Sequence, residues 1–279
     1  MQDLSQDGNW FSLVADIRTS KQGKSWFSSV ADAYNRTRPN YSPTIINRAV
    51  ESAKLPEDAT ILEIGCGPGN ATKAFGKLGF KITCLEPSES ACQLAEKNCA
   101  QYGNVEVKNT TFEEWELESE RFDAVLAATA FHWVSPESGY LKVHGALKKS
   151  GNLILLWNTR PHPEQEVYHM LDEVYQNHAP TLRKYFEDTT TQLKKLKEFA
   201  EKVTNSDYFQ DCQSEDLLCE LTYSIDDYLM LLSTYSPYIS LESQQRNSLF
   251  AGLRETLEKN WDNKIQVSYF SAFWIFQKS

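Results

Sequence analysis

The sequence predicts an α/β protein built on a doubly wound, mostly parallel sheet, and three observations carry that prediction. Between about residues 58 and 160 strand-like and helix-like stretches alternate, the pattern of parallel strands joined by crossover helices. Phe122 to Ala128 is apolar almost throughout, as a strand covered on both faces must be. The chain also ends in a β-branched and aromatic run, Ile265 to Phe276, which reads as a buried strand returning antiparallel to the same sheet.

The elements follow in order. Thr60 to Ile64 is a short apolar strand ending in a glycine-rich turn, after which Ala71, Ala74, Phe75 and Leu78 recur at helical spacing up to Gly79, a C-terminal stop. Lys81 to Leu85 is a second strand, and Ser88 then caps a helix carrying Ala91, Leu94 and Ala95. Asn104 to Lys108 is the third strand and Phe122 to Ala128 the fourth. Pro136 opens a helix that reads as running to Lys149, with basic residues before the Gly151 stop, and Leu153 to Trp157 is the fifth strand. Beyond it, Val167, Leu171, Val174 and Tyr175 mark one amphipathic helix, Leu193, Leu196 and Val203 another, and Leu249, Leu253 and Leu257 a third. A strand at Leu218 to Tyr223 brings the sheet to seven strands. No repeat or low-complexity linker divides the chain. The expectation is one domain over 1–279: an N-terminal cap segment at 1–57, a ligand-binding core at 58–160, a helical cap insertion at 161–212, and C-terminal strands and helices at 213–279.

Composition excludes several classes. At 41% hydrophobic and 12% aromatic residues the chain is too apolar to be disordered. No apolar stretch approaches the ~18–20 residues of a membrane helix, and MQDLSQDGNW has neither the basic nor the apolar part of an export signal. A cytoplasmic protein is expected. A net charge of −10 disfavours broad nucleic-acid or anionic-membrane binding. Six cysteines include no Cys-x-x-Cys pair, and Cys66, Cys84, Cys92 and Cys99 fall on buried elements, so packing thiols are expected, with no metal.

The chemistry points to Glu63-Ile64-Gly65-Cys66-Gly67-Pro68-Gly69. Glycine between the first strand and its helix lets a ligand approach the main chain without meeting a Cβ, at the crevice where such sheets bind ligands. The spacing is GxGxG, not the GxGxxG of dinucleotide binders. Glu86 closes the second strand, where a carboxylate can accept hydrogen bonds from a ribose diol.

ILEIGCGPGNAT, then LEPS, then FDAVLAATAFHW resembles the class I S-adenosylmethionine-dependent methyltransferases, and most of all the small-molecule branch that includes ubiquinone/menaquinone-biosynthesis and trans-aconitate methyltransferases. Tyr34 to Tyr41 resembles that branch's Tyr-x-x-x-Arg-Pro-x-Tyr segment, and Tyr223 to Tyr228 with Ser233 to Ser236 resembles the region after the sheet in a large, mostly uncharacterised subgroup. The resemblance implies a Rossmann-like fold with S-adenosyl-L-methionine as cofactor and S-adenosyl-L-homocysteine as product. It implies that Gly65, Gly67 and Gly69 underlie the methionine and ribose, that Glu63 orients the turn and reaches the amino end, and that Glu86 holds the ribose diol with Pro87 beside the adenine. Thr111 and Phe112 would flank the adenine, Ala128 would face the sulfonium, and Tyr34 and Arg38 would close over the cofactor, Arg38 near its carboxylate.

Methyl transfer from a sulfonium is an in-line displacement whose leaving group comes ready activated, so the protein mainly aligns the acceptor and excludes water. A base is needed only where the acceptor must lose a proton. His132 follows the fourth strand; pocket wall is favoured over base. Tyr41, Trp133 and Arg160 are the candidate acceptor contacts, Arg160 suiting an anion. The helices after the fifth strand and the N-terminal segment are expected to cover the acceptor. Small-molecule methylation is the leading reading. Its rivals are a nucleic-acid methyltransferase, an NAD-dependent oxidoreductase and a catalytically silent S-adenosylmethionine-binding protein.

Overall fold

The structure is a computed structural model and describes residues 21–185 and 187–279. The N-terminal run read above for an export signal lies outside the described residues. The chain proceeds through α1 (Lys21–Thr37), α2 (Pro43–Ser52), β1 (Thr60–Ile64), α3 (Asn70–Lys77), β2 (Lys81–Leu85) and α4 (Glu89–Cys99). It continues with β3 (Val105–Lys108), β4 (Phe122–Ala128), α5 (Pro136–Ala146), β5 (Leu147–Asn158), β6 (His162–Pro163) and α6 (Gln165–His178). Last come α7 (Thr189–Thr204), β7 (Phe209–Tyr223), α8 (Ile225–Ser233), α9 (Ser236–Ile239), α10 (Ser243–Asn260) and β8 (Ile265–Lys278). These gather into two compact units: one of the described residues up to Arg38 with Arg160–Thr191 and Glu220–Tyr269, the other of Pro39–Thr159, Gln192–Cys219 and Phe270–Ser279.

The second unit holds the parallel sheet, ordered β3-β2-β1-β4-β5 with β8 beyond β5. β1 pairs in parallel with both β2 and β4, and β8 runs antiparallel to β5, Leu155 opposite Trp274. The order reverses on either side of β1, which puts the switch-point crevice at its carboxyl end. Ile61, Ile82, Leu126, Ile154 and Phe273 from the strands pack with Phe75 of α3, each 2% exposed or less. Each such side chain contributes about 1.5–3 kcal/mol on burial. Ser88 caps α4, its side chain accepting from the Ala91 N–H at 3.3 Å, and Gly79 follows α3 at φ +93°. Cys66, Cys84, Cys92 and Cys99 are all buried.

The first unit is mainly helical. Val167, Leu171 and Tyr175 of α6 pack with Tyr228 and Leu231 of α8 and with Leu249 and Leu253 of α10. The buried Tyr175 and Tyr238 hydroxyls share a hydrogen bond of 2.6 Å.

Three details differ from the reading of the sequence. Among the described residues the sheet has eight strands rather than seven; the extra one, β6, is two residues long with a proline, pairing His162 with Ser268, too short for any periodicity. β7 begins at Phe209, well before Leu218, and its first half is exposed on both faces, so no apolar alternation announces it. Finally, α5 stops at Ala146 and β5 starts at Leu147. Leu147 pairs with Phe122 and the Lys148 ammonium reaches both Asp123 oxygens at 2.8 and 2.9 Å, so the basic pair serves a strand end.

Candidate active site

The turn after β1 is fastened before any ligand is considered. The Gly65 and Cys66 N–H groups both donate to the Leu85 carbonyl, at 2.8 and 3.2 Å, and Gly69 N–H donates to the Cys66 carbonyl at 3.0 Å. Gly65, Gly67 and Gly69 lie at φ +64°, +55° and +84°, where an L side chain costs about 1–2 kcal/mol. Their surroundings differ. A Cβ on Gly65 would sit 3.0 Å from the Ala130 Cβ and one on Gly69 3.1 Å from the Cys99 sulfur, but one on Gly67 would meet nothing among the described residues within 4 Å. Two glycines are there for close packing, and the middle one fronts open space.

Two carboxylates bracket the turn. Glu86 accepts the Gly67 N–H on Oε2 and the Ser88 N–H on Oε1, both at 2.9 Å. Burial raises its pKa, opposed by those two donors. Each oxygen retains a lone pair for a further donor. Glu63 is fully buried; its Oε2 accepts from the Thr72 hydroxyl at 2.6 Å and its Oε1 has no partner among the described residues. Desolvation raises its pKa to about 7, the Thr72 bond opposing. Its side chain is wholly covered and tied to Thr72 of α3.

Beyond β3, Thr111 caps the next turn by bonding Glu114, and Phe112 is buried, stacked on Trp115 at 6.1 Å. Phe112 thus packs beside Trp115 in the core. Asn109, not singled out from the sequence, donates to the Glu86 carbonyl at 2.9 Å. A polar residue directly after β3 was the available signal. Pro87 is exposed beside Glu86.

At the end of β4, Ala128 is half-buried and Thr129 adopts φ +54°, a genuine outlier for a β-branched residue. Its N–H donates to the Leu156 carbonyl at 2.8 Å and its hydroxyl meets the Tyr41 hydroxyl at 2.7 Å. Asn158 holds the segment before Tyr41 through the Pro39 and Asn40 carbonyls at 3.0 and 3.3 Å. Strain of this kind gathers at functional sites, and nothing in the sequence announces it. Tyr41→Phe is expected to lower stability by about 1 kcal/mol; urea denaturation measures it, and an unchanged midpoint contradicts a working bond. His132 lies in a single 3₁₀ turn, its ring 5.0 Å from those of Trp133 and Trp157. Burial lowers its pKa to about 3, so it is neutral and a weak base.

The remaining expected residues belong to the first unit. Arg38 lies over the Tyr34 ring at 4.7 Å and the Tyr235 ring at 3.8 Å, and Arg160 is 3.9 Å from Glu187. Among the described residues no cluster of His, Cys, Asp and Glu fits a metal ion.

The switch-point crevice, the glycine turn and the acid closing the second strand make this the candidate ligand site, and comparison with known proteins shows what the chain is similar to. Residues 61–151 match the family described as a methyltransferase domain. A Dictyostelium discoideum protein named as a methyltransferase is 24% identical over 279 residues, 95% of this chain and 99% of that one. An uncharacterized methyltransferase of Mycobacterium tuberculosis is 32% identical over 134 residues, 48% of this chain; the match spans about half of that relative, 52%. A solved structure described as a type II methyltransferase, from Anaeromyxobacter dehalogenans, shares the fold at TM-score 0.63 and 17% identity over 86% of this chain and 97% of that one. Residues 61–151 are thus similar to a methyltransferase domain, and the fold is shared with a solved methyltransferase structure.

Proposed function

We propose that the protein, over residues 1–279 as one methyltransferase domain, transfers a methyl group from S-adenosyl-L-methionine to a small-molecule acceptor, releasing S-adenosyl-L-homocysteine. The observation that carries the reading is the open space in front of Gly67, framed by Glu86. The residues fit that cofactor: a Cβ would fill the cradle, and Glu86 keeps lone pairs for the ribose hydroxyls. When bound, the cofactor supplies an electrophilic methyl on a sulfonium.

In this reading Gly65, Gly67 and Gly69 bind along the main chain, Pro87 and Thr111 lie on the adenine side, and Ala128 faces the reacting end. Thr129 and Tyr41 orient groups at the end of β4, and Trp133 and the neutral His132 wall the acceptor and exclude water. An acceptor carboxylate, already ionised, reacts without a base; a hydroxyl needs one that His132 is too weakly basic to be. A cytoplasmic location is proposed, and among the described residues no helix is long and apolar enough to cross a membrane. The charge of −10 favours a small acceptor over a nucleic acid.

Incubating the protein with methyl-labelled S-adenosylmethionine and a metabolite extract, then identifying the product by mass, tests the proposal. A labelled metabolite is expected. Label recovered only in nucleic acid, or in no product at all, contradicts it.

A further inference from the structure

We infer that Asn158 and Ser271 form a binding site for a single hydroxyl group at the carboxyl end of β5. Asn158 is the starting point. Its Nδ2 donates to the Pro39 and Asn40 carbonyls at 3.0 and 3.3 Å. Carbonyls only accept, so the amide cannot turn over without setting its own oxygen against two others. The Oδ1 must therefore find its donor elsewhere. It is buried, with no hydrogen-bond partner among the described residues.

Ser271 of β8 is the second observation, independent of the first. It is 0% exposed, and its hydroxyl also has no hydrogen-bond partner among the described residues. Buried polar atoms are nearly always bonded.

The sheet sets these two side chains together. Asn158 pairs with Ser271 across the antiparallel β5–β8 ladder, and directly opposed residues share a face. Just beyond them the Thr159 N–H donates to the Phe270 carbonyl at 2.8 Å. Bonded and non-bonded pairs alternate along such a ladder, so Asn158 and Ser271 are a non-bonded pair, the kind whose Cα atoms lie only about 4.5 Å apart. One pleat earlier on the same face Leu156 opposes Phe273, and both are wholly buried. The polar pair thus ends the apolar core at the end of the sheet where ligands bind. Pro39, Asn40, Asn158 and Ser271 all belong to the second unit.

The donor and acceptor pattern selects the ligand. Asn158 Oδ1 only accepts, whereas the Ser271 hydroxyl can donate or accept. A hydroxyl satisfies both with one oxygen, donating to the amide and accepting from the serine. An anion has no proton for Asn158, and neither side chain carries a charge to pair with an ammonium. With the hydroxyl in place the amide is bonded at both ends. It then fixes the segment before Tyr41, whose own hydroxyl meets Thr129 at 2.7 Å.

Two sources supply a hydroxyl: an enclosed water molecule, or an alcohol group of the methyl acceptor, which rests on the function proposed above. The first test is a crystal structure of the full chain, without added ligand, at a resolution that shows ordered water. One oxygen within about 2.5–3.2 Å of both Asn158 Oδ1 and Ser271 Oγ is expected. An empty gap, or a direct bond between the two side chains, overturns the site. Urea denaturation of Ser271→Ala is the second test. Loss of the bridge lowers the folding equilibrium constant roughly two- to tenfold. A stranded hydroxyl would instead be better removed, so an unchanged or raised constant also overturns the site. The labelled-extract assay with Ser271→Ala beside wild type then separates the sources. A product yield at least tenfold lower, at unchanged S-adenosylmethionine affinity, assigns the hydroxyl to the acceptor, and an undiminished yield assigns it to water. If neither protein labels a product, the methyl-transfer reading fails, and the crystal structure and the denaturation alone decide the site.

Discussion

Gly67→Val is expected to weaken S-adenosylmethionine binding at least a hundredfold in a protein that still folds. The backbone at φ +55° charges the substitution about 1–2 kcal/mol of strain, a fraction of a typical domain's stability. Apart from its two chain neighbours, no atom of the described residues lies within 4 Å of the new Cβ, so the Cβ itself displaces nothing there. The side chain occupies the space the cofactor needs. Gly69→Val is the contrasting variant: its Cβ would lie 3.1 Å from the Cys99 sulfur and 3.4 Å from the Ala95 Cα, so the cost falls on the fold itself. Calorimetry paired with thermal melting separates the two. Undiminished affinity in Gly67→Val removes the glycine cradle from the account.

Glu63→Gln is expected to become more stable relative to wild type as pH rises. Burial raises the folded-state pKa of Glu63 from its ordinary 4.5 to about 7. The folded chain therefore holds this proton to higher pH than the unfolded chain does. The resulting stability is full below pH 4.5 and lost as pH rises through 7, a difference of about 3 kcal/mol at 1.36 kcal/mol per pKa unit. Glutamine keeps an oxygen for Thr72 and carries no proton to lose. Urea denaturation at pH 4.5 and pH 8 should show the variant gaining about that amount between them, and a pH-independent difference contradicts the burial argument. His132 acts in the opposite direction. Its folded pKa is lowered from 6.5 to about 3, so its contribution is present above 6.5 and lost as pH falls toward 3. The comparison of variant with wild type cancels it.

The parts of this molecule that repetition encodes were legible in the sequence. Apolar runs and helical stripes located β1 to β4 and the helices between them, because a residue buried against a sheet must recur at fixed spacing. The glycine turn and Glu86 were legible because a left-handed backbone selects glycine whatever its neighbours. What escaped depends on contacts between distant segments. Thr129 is strained by its place between Leu156 and Tyr41, and threonine carries no local mark of that. Phe112 is packed on Trp115, a contact that its place after β3 does not announce. The exposed first half of β7 is held by pairing rather than burial, so its composition is that of a loop.

The central claim is that the turn after β1 binds a methyl donor, and one titration addresses it most directly. The full chain is titrated calorimetrically with S-adenosylmethionine and, separately, with NAD. Saturable one-to-one binding of S-adenosylmethionine, and none of NAD, is the result this account predicts. No S-adenosylmethionine binding at millimolar concentration, or NAD binding in its place, would contradict it.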